Sequence, residues 1–173
     1  MVKQLGDKDR LVRRNAAEAL AKIGKSDERA IHKLLQLLSD TNEDSYVRES
    51  AVRALVSIAK SDDTVIQKLE ELLDDIHSSV RRRAAEGLRK WNRLDDAIIQ
   101  KLVTLLDDED FFVRSEAMKT LMHTARFDDR FLDTLKDICI DYERYDLSMS
   151  HPEGIWYHVT VSDLAFWSLW HYS

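Results

Sequence analysis

Four nine-residue stretches lie over one another without a gap: VRRNAAEAL (12–20), VRESAVRAL (47–55), VRRRAAEGL (80–88) and VRSEAMKTL (113–121). They follow at offsets of 35, 33 and 33 residues. Within them Val, Arg, Ala and Leu return at fixed places, as Val12, Arg13, Ala16 and Leu20 do in the first copy. Apolar residues four apart share one face of a helix. A period in this range marks an array of supersecondary units, so the spacing decides the fold before any propensity is summed. This element is helix A of each unit.

A second element follows each one: AIHKLLQLL from Ala30, VIQKLEELL from Val65, IIQKLVTLL from Ile98 and FLDTLKDIC from Phe131. Ile31, Leu34, Leu37 and Leu38 give an i, i+3, i+6, i+7 stripe that each copy repeats, which predicts an amphipathic helix B. Between A and B stands an acidic pair in every copy: Asp27-Glu28, Asp62-Asp63, Asp95-Asp96 and Asp128-Asp129. An Asp at an N-cap accepts from free backbone N–H groups, and an acid in the first turn opposes the positive end of the helix dipole. The pairs are therefore expected to be structural. A column of small residues, Ala19, Ala54, Gly87 and Thr120, predicts a close helix approach. Such an approach explains Gly87, which costs about 1 kcal/mol of helix propensity against Ala.

Helix pairs of this period, with the lead-in D-x-x-x-x-V-R to helix A, resemble short HEAT repeats of the type named after phycobilisome lyases. The lead-in reads DKDRLVR from Asp7, DIHSSVR from Asp75 and DEDFFVR from Asp108. The second copy, TNEDSYVR, departs from it through a two-residue insertion between Leu38 and Val47. The resemblance implies an all-α fold, a right-handed α-solenoid of antiparallel helix pairs forming a HEAT/armadillo-like superhelix. It also implies that the Arg column (Arg13, Arg48, Arg81, Arg114) pairs with acids of the inter-repeat turns, a task that a bidentate Arg–carboxylate pair suits. Solenoids serve many roles, so the resemblance carries no activity.

The two ends differ. MVKQL aligns with the last turn of a helix B, so four repeats are expected over 1–141, starting inside a preceding helix B. A longer array or an oligomer would cover the end this leaves open. Residues 142–158 hold the only proline, Pro152, and read as an irregular insertion. Residues 159–173 read as an aromatic C-terminal capping helix, with VSDLAFWSL (161–169) repeating the Val, Ala and Leu places of helix A.

Composition agrees with this organisation. Of 173 residues, four are Gly and one is Pro, too few to punctuate a many-turned β-sandwich. The single Cys rules out an internal disulfide framework, and a cytoplasmic location is expected. Cys139 falls on the apolar column of Leu38, Leu73 and Leu106 and reads as a core residue. There is no apolar run of membrane-spanning length. A net charge of −6 argues against a general nucleic-acid binder.

No phosphate loop, nucleophile elbow or H-E-x-x-H helix is present. The sequence therefore predicts no catalytic residue, no cofactor and no metal; His151, His158, Asp163 and His171 match no ligand spacing. HEAT-type deoxyhypusine hydroxylases hold iron through His-Glu dipeptides, and this chain has none. The expected function is a non-catalytic scaffold or regulatory module that binds a protein or peptide on the concave, B-helix face. The exposed positions chosen for contact are His32, Gln36, Gln67, Glu71, Gln100, Thr104, Asp133 and Asp137, with Trp156 and Tyr157 as an accessory contact. Two alternatives stay open. One is a phycobilin-lyase-like or other enzyme subunit that holds a substrate in the groove. The other is nucleic-acid binding through the basic patches of the A helices, around Arg13-Arg14 and Arg81-Arg82-Arg83.

Overall fold

The computed structural model describes residues 1–59, 63–91, 94–125, 146–150 and 156–160. The chain divides into two compact units, Met1–Lys90 and Trp91–Ser173.

In the first unit a short 3-10 helix (Val2–Gly6) precedes α1 (Arg10–Ile23), α2 (Glu28–Ser39), α3 (Ser45–Ile58), α4 (Asp63–Leu72) and α5 (Ser78–Leu88). Helices α1, α3 and α5 are the A helices, and α2 and α4 the B helices. The A helices pack in a row, α1 on α3 and α3 on α5, while α2 packs on α3 and α4 on α5. The fold is therefore an α-solenoid of helix pairs, the class the repeat predicts.

Local chemistry sets the helix boundaries. Asp9, Asp27 and Asp44 cap α1, α2 and α3, each accepting a hydrogen bond from a backbone N–H of the first turn. The lead-in Asp acts two residues earlier. Asp7, Asp75 and Asp108 each accept from the N–H two positions on, which fixes the turn before the helix rather than the helix itself. Helix α1 ends at Gly24 with φ +61°, a left-handed cap that glycine adopts without cost.

The core runs between the two rows. Leu34, Leu38, Leu55, Leu69, Leu73 and Leu88 are fully buried, each contributing about 1.5–3 kcal/mol by leaving water. The buried stripe of the B helices starts one residue earlier than the sequence pattern placed it. It runs Ala30, Leu34, Leu37, Leu38 and Val65, Leu69, Leu72, Leu73, while Ile31 and Ile66 are half-buried. Spacing of i, i+4, i+7, i+8 holds one face over two turns. Leu5 joins the column of Leu38 and Leu73, buried where the 3-10 helix meets α1 and α2. At Gly87, one member of the small-residue column, α5 lies close against α3. A Cβ at Gly87 would lie 2.7 Å from Val56 Cγ2.

The second unit contains α6 (Asp96–Thr104), a 3-10 turn (Leu105–Asp107), α7 (Phe111–Ala125) and two strands, β1 (Asp146–Ser150) and β2 (Trp156–Thr160). Helix α6 and the 3-10 turn pack on α7, burying Ile98, Leu102, Val113, Ala117, Met118 and Leu121. Asp95 caps α6 through the N–H of Ile98.

The strands correct one expectation. The segment 142–158, read as irregular, contains backbone in a regular antiparallel ladder, with Leu147 opposite Val159 and Met149 opposite Tyr157. The reason is compositional as well as long-range. WYHVT is aromatic and β-branched, residues that suit a pleated strand, and Pro152 and Gly154 both fall between the strands rather than within them. The fourth helix B and the capping helix over 159–173 were expected where the chain, Val159 and Thr160 of β2 apart, lies outside the described residues.

Candidate functional site

The structure leaves the predicted contact positions of the first unit open to solvent. His32 and Gln36 on α2, and Gln67 and Glu71 on α4, are all exposed. They occupy the same two places in successive B helices, because the buried stripe of each helix turns the opposite face outward. In the second unit Gln100 and Thr104 on α6 are likewise exposed, and the Thr104 hydroxyl donates to the Gln100 carbonyl at 3.1 Å. Asp133 and Asp137 lie outside the described residues. Trp156 and Tyr157 stand on β2, opposite Ser150 and Met149.

Two grooves adjoin these positions in the first unit, at equivalent places in the repeat. The first, about 450 Å³, includes Arg13, Lys33, Gln36, Asp40 and Glu43 in its wall. The second, about 250 Å³, includes Arg48, Lys68, Glu71, Asp75 and Ile76. Gln36 and Glu71 thus line grooves, whereas His32 and Gln67 are not among the residues that do. Each groove carries a lysine that sequence reading passed over. Lys33 donates to Gln36 at 2.9 Å and Lys68 to Glu71 at 2.7 Å, each reaching one helical turn along. The signal was present, since Lys33, Lys68 and Lys101 recur in the K-L step of three B helices.

The arginine column forms the other wall. Arg13 grips Glu43 with both arms of its fork, Nε and Nη2 each at 2.6 Å from a carboxylate oxygen. Its Nη1 donates to the carbonyls of Asp7 and Lys8. The bond to Glu43 raises the Arg13 pKa beyond its ordinary value, against the opposing pull of burial. Arg48 pairs with Asp75, Arg81 donates to the Asp75 carbonyl at 2.8 Å, and Arg114 to the Asp108 carbonyl at 2.7 Å. In the first two copies this Arg reaches an acid of the following inter-repeat turn and holds neighbouring repeats in register. Asn42 stands where the lead-in Asp would be in the second copy, and Glu43, beside the insertion, supplies the acid instead.

Nearby, Asp44 is buried enough to lift its pKa. Hydrogen bonds from Arg10 at 2.6 Å and from the N–H groups of Tyr46 and Val47 outweigh that and hold it below the ordinary carboxylate value. Among the described residues no three His, Cys, Asp or Glu side chains gather as a metal site would need. Among them, too, no helix is long and apolar enough to cross a membrane.

Stacked helix pairs locked through turn acids are the architecture of HEAT repeats. The sequence profile of HEAT repeats matches residues 1–89 and 66–147, and the chain belongs to that family. No curated protein matches it. Among solved structures it is similar to an engineered protein, at 31% identity over 79% of this chain and 66% of the other, with a TM-score of 0.57. A second engineered protein is 28% identical, and this chain spans 65% of its length. A designed armadillo repeat protein in complex with the peptide (KR)4 aligns over 99% of this chain and 80% of the other, at 24% identity and a TM-score of 0.63. The complex of CpcE and CpcF of phycocyanin lyase from Nostoc aligns over 80% of this chain and 86% of the other, at 22% identity and a TM-score of 0.57.

Proposed function

We propose that the chain is a non-catalytic protein-interaction module that holds an extended peptide segment of a partner against its B helices. His32, Gln36, Gln67 and Glu71 make the contacts in the first unit, and Gln100, Thr104, Asp133 and Asp137 those in the second. Trp156 and Tyr157 add an accessory contact. One observation carries the reading: the same two exposed polar positions recur in α2 and α4, beside grooves that recur at the same place in the repeat. Most charged groups of the groove walls are engaged with one another, Arg13 with Glu43, Arg48 with Asp75 and Lys68 with Glu71. Such pairing suits a fixed recognition surface better than acid–base chemistry. Binding to side chains already held in place orders few of them and wastes little entropy. A cytoplasmic setting and assembly into an oligomer belong to the same reading.

Selection of peptides from a displayed random library on the immobilised chain tests it. A selected peptide should lose about tenfold or more in affinity on the Gln36→Ala/Gln67→Ala/Glu71→Ala variant, with helicity by circular dichroism unchanged. Undiminished affinity would refute the choice of face. A coloured or otherwise ligand-loaded chain on purification would favour a substrate-holding subunit instead.

A further inference from the structure

On the opposite side of the first unit, at the C-terminal ends of α3 and α5, lies a groove of about 290 Å³. Four cations line it, Arg53, Arg83, Arg89 and Lys90, with one carboxylate, Glu86, and Gly87 between them. The repeat itself does not require these cations. The equivalent places one repeat earlier, at the junction of α1 and α3, are Glu18, Ser50, Val56 and Ser57, one acid and no base. That junction packs closely without them.

The backbone duty at the groove can also be met without charge. Ser57 Oγ donates to the Ala21 carbonyl at the end of α1, at 2.7 Å. One repeat on, Lys90 Nζ donates to the equivalent carbonyl of Val56 at 2.6 Å, and to that of Ala59. A hydroxyl and an ammonium do the same work, so the charge at position 90 is surplus to capping. It is also costly there, since desolvation lowers the Lys90 pKa.

Two arginines leave donors for a ligand. Arg83 is held in place through Nε on Glu49 at 2.8 Å and Nη1 on Glu86 at 2.7 Å, and its Nη2 has no partner among the described residues. Arg53 is exposed and forms no hydrogen bond or ion pair among the described residues. A preorganised guanidinium beside a free one, with two further cations behind, matches an acceptor with several oxygens and more than one negative charge.

We propose that this groove binds the phosphate dianion of a phosphorylated serine or threonine on a partner protein. A carboxylate would offer fewer acceptors to the donors of Arg53 and Arg83. A polynucleotide fits less well, because its affinity grows with the number of phosphates neutralised. Here the cations are confined to one junction, with Glu18 at the place of Arg53 in the preceding repeat. The proposal is independent of the B-helix face.

The test uses the full chain and nuclear magnetic resonance of the arginine Nε–Hε groups. The probes are inorganic phosphate, N-acetyl-phosphoserine amide, N-acetyl-aspartate amide and a single-stranded DNA dodecamer. Phosphate and phosphoserine should give saturable shifts at Arg53 and Arg83. The phosphoserine probe should bind more tightly above its second pKa of about 6 than below it. Arg53→Gln and Arg89→Gln should each weaken phosphoserine binding about tenfold; both leave the Lys90 cap in place. Absence of shifts at Arg53 and Arg83, equal affinity for the aspartate probe, or tighter binding of the DNA with a steep salt dependence would each overturn the proposal.

Discussion

Arg48 of α3 and Asp75, in the turn before α5, form an ion pair in which each side chain is only 4% exposed. The Asp75 carbonyl accepts from Arg81 at the same time, so one turn residue is held by two successive members of the arginine column. Two charges removed from water are stable only as a pair. Deleting one partner from such a pair typically costs about 3–5 kcal/mol, because the other is left buried and uncompensated. Asp75→Asn and Arg48→Met should each lower stability by that order in chemical denaturation. The double variant Arg48→Met/Asp75→Leu should recover much of the loss. A single variant as stable as the parent would show that the pair does not lock the repeats.

Gly87 makes a prediction of opposite sign to helix propensity. Alanine in a helix interior is favoured over glycine by about 1 kcal/mol. At position 87 its Cβ would meet Val56 Cγ2 at 2.7 Å and two Leu69 methyl carbons at 3.4 Å. Gly87→Ala should therefore lower the melting temperature, and Gly87→Ala/Val56→Ala should restore part of it. A rise in melting temperature for the single variant would mean that α5 can shift away from α3 at no cost.

Asp44 gives a pH dependence. Its folded pKa is lowered below the unfolded value of about 3.9. The stability it contributes is thus fully present above that value and lost as pH falls through the lower folded pKa. Between about pH 5 and pH 2, denaturation midpoints should fall less steeply for Asp44→Asn than for the parent. Equal slopes would remove Asp44 from the account.

The N-cap of α2 can be tested alone. Asp27 accepts from the N–H groups of Arg29 and Ala30 at 2.9 and 3.2 Å. Asp27→Ala should cost about 1 kcal/mol and Asp27→Ser much less. Equal losses for the two would point to the charge near the helix dipole rather than to the cap bond.

The helix pairs were legible because each copy repeats its neighbours' solution, so pattern noise in one helix is corrected by the others. The exposed positions of α2 and α4 followed from the same arithmetic, as the complement of the buried stripe. What the period missed lies at departures from it. The ladder between Asp146–Ser150 and Trp156–Thr160 belongs to no repeat, and the lysines at 33 and 68 looked like ordinary solvated charges.

Charge distribution shows the same division. The sequence alone holds 18 basic and 16 acidic residues over 1–90, against eight and 16 over 91–173. It cannot say which of them meet. Arg83, Arg89 and Lys90 are neighbours in the chain, but Arg53 reaches their groove only because Gly87 lets α5 lie close against α3. The sequence by itself determined the repeat, the two rows of helices and the outward face of the B helices, all of which depend on periodicity within a helix. Only the tertiary structure decided which acid each arginine holds, and which cations share a groove, because those depend on distances between helices that no single helix encodes.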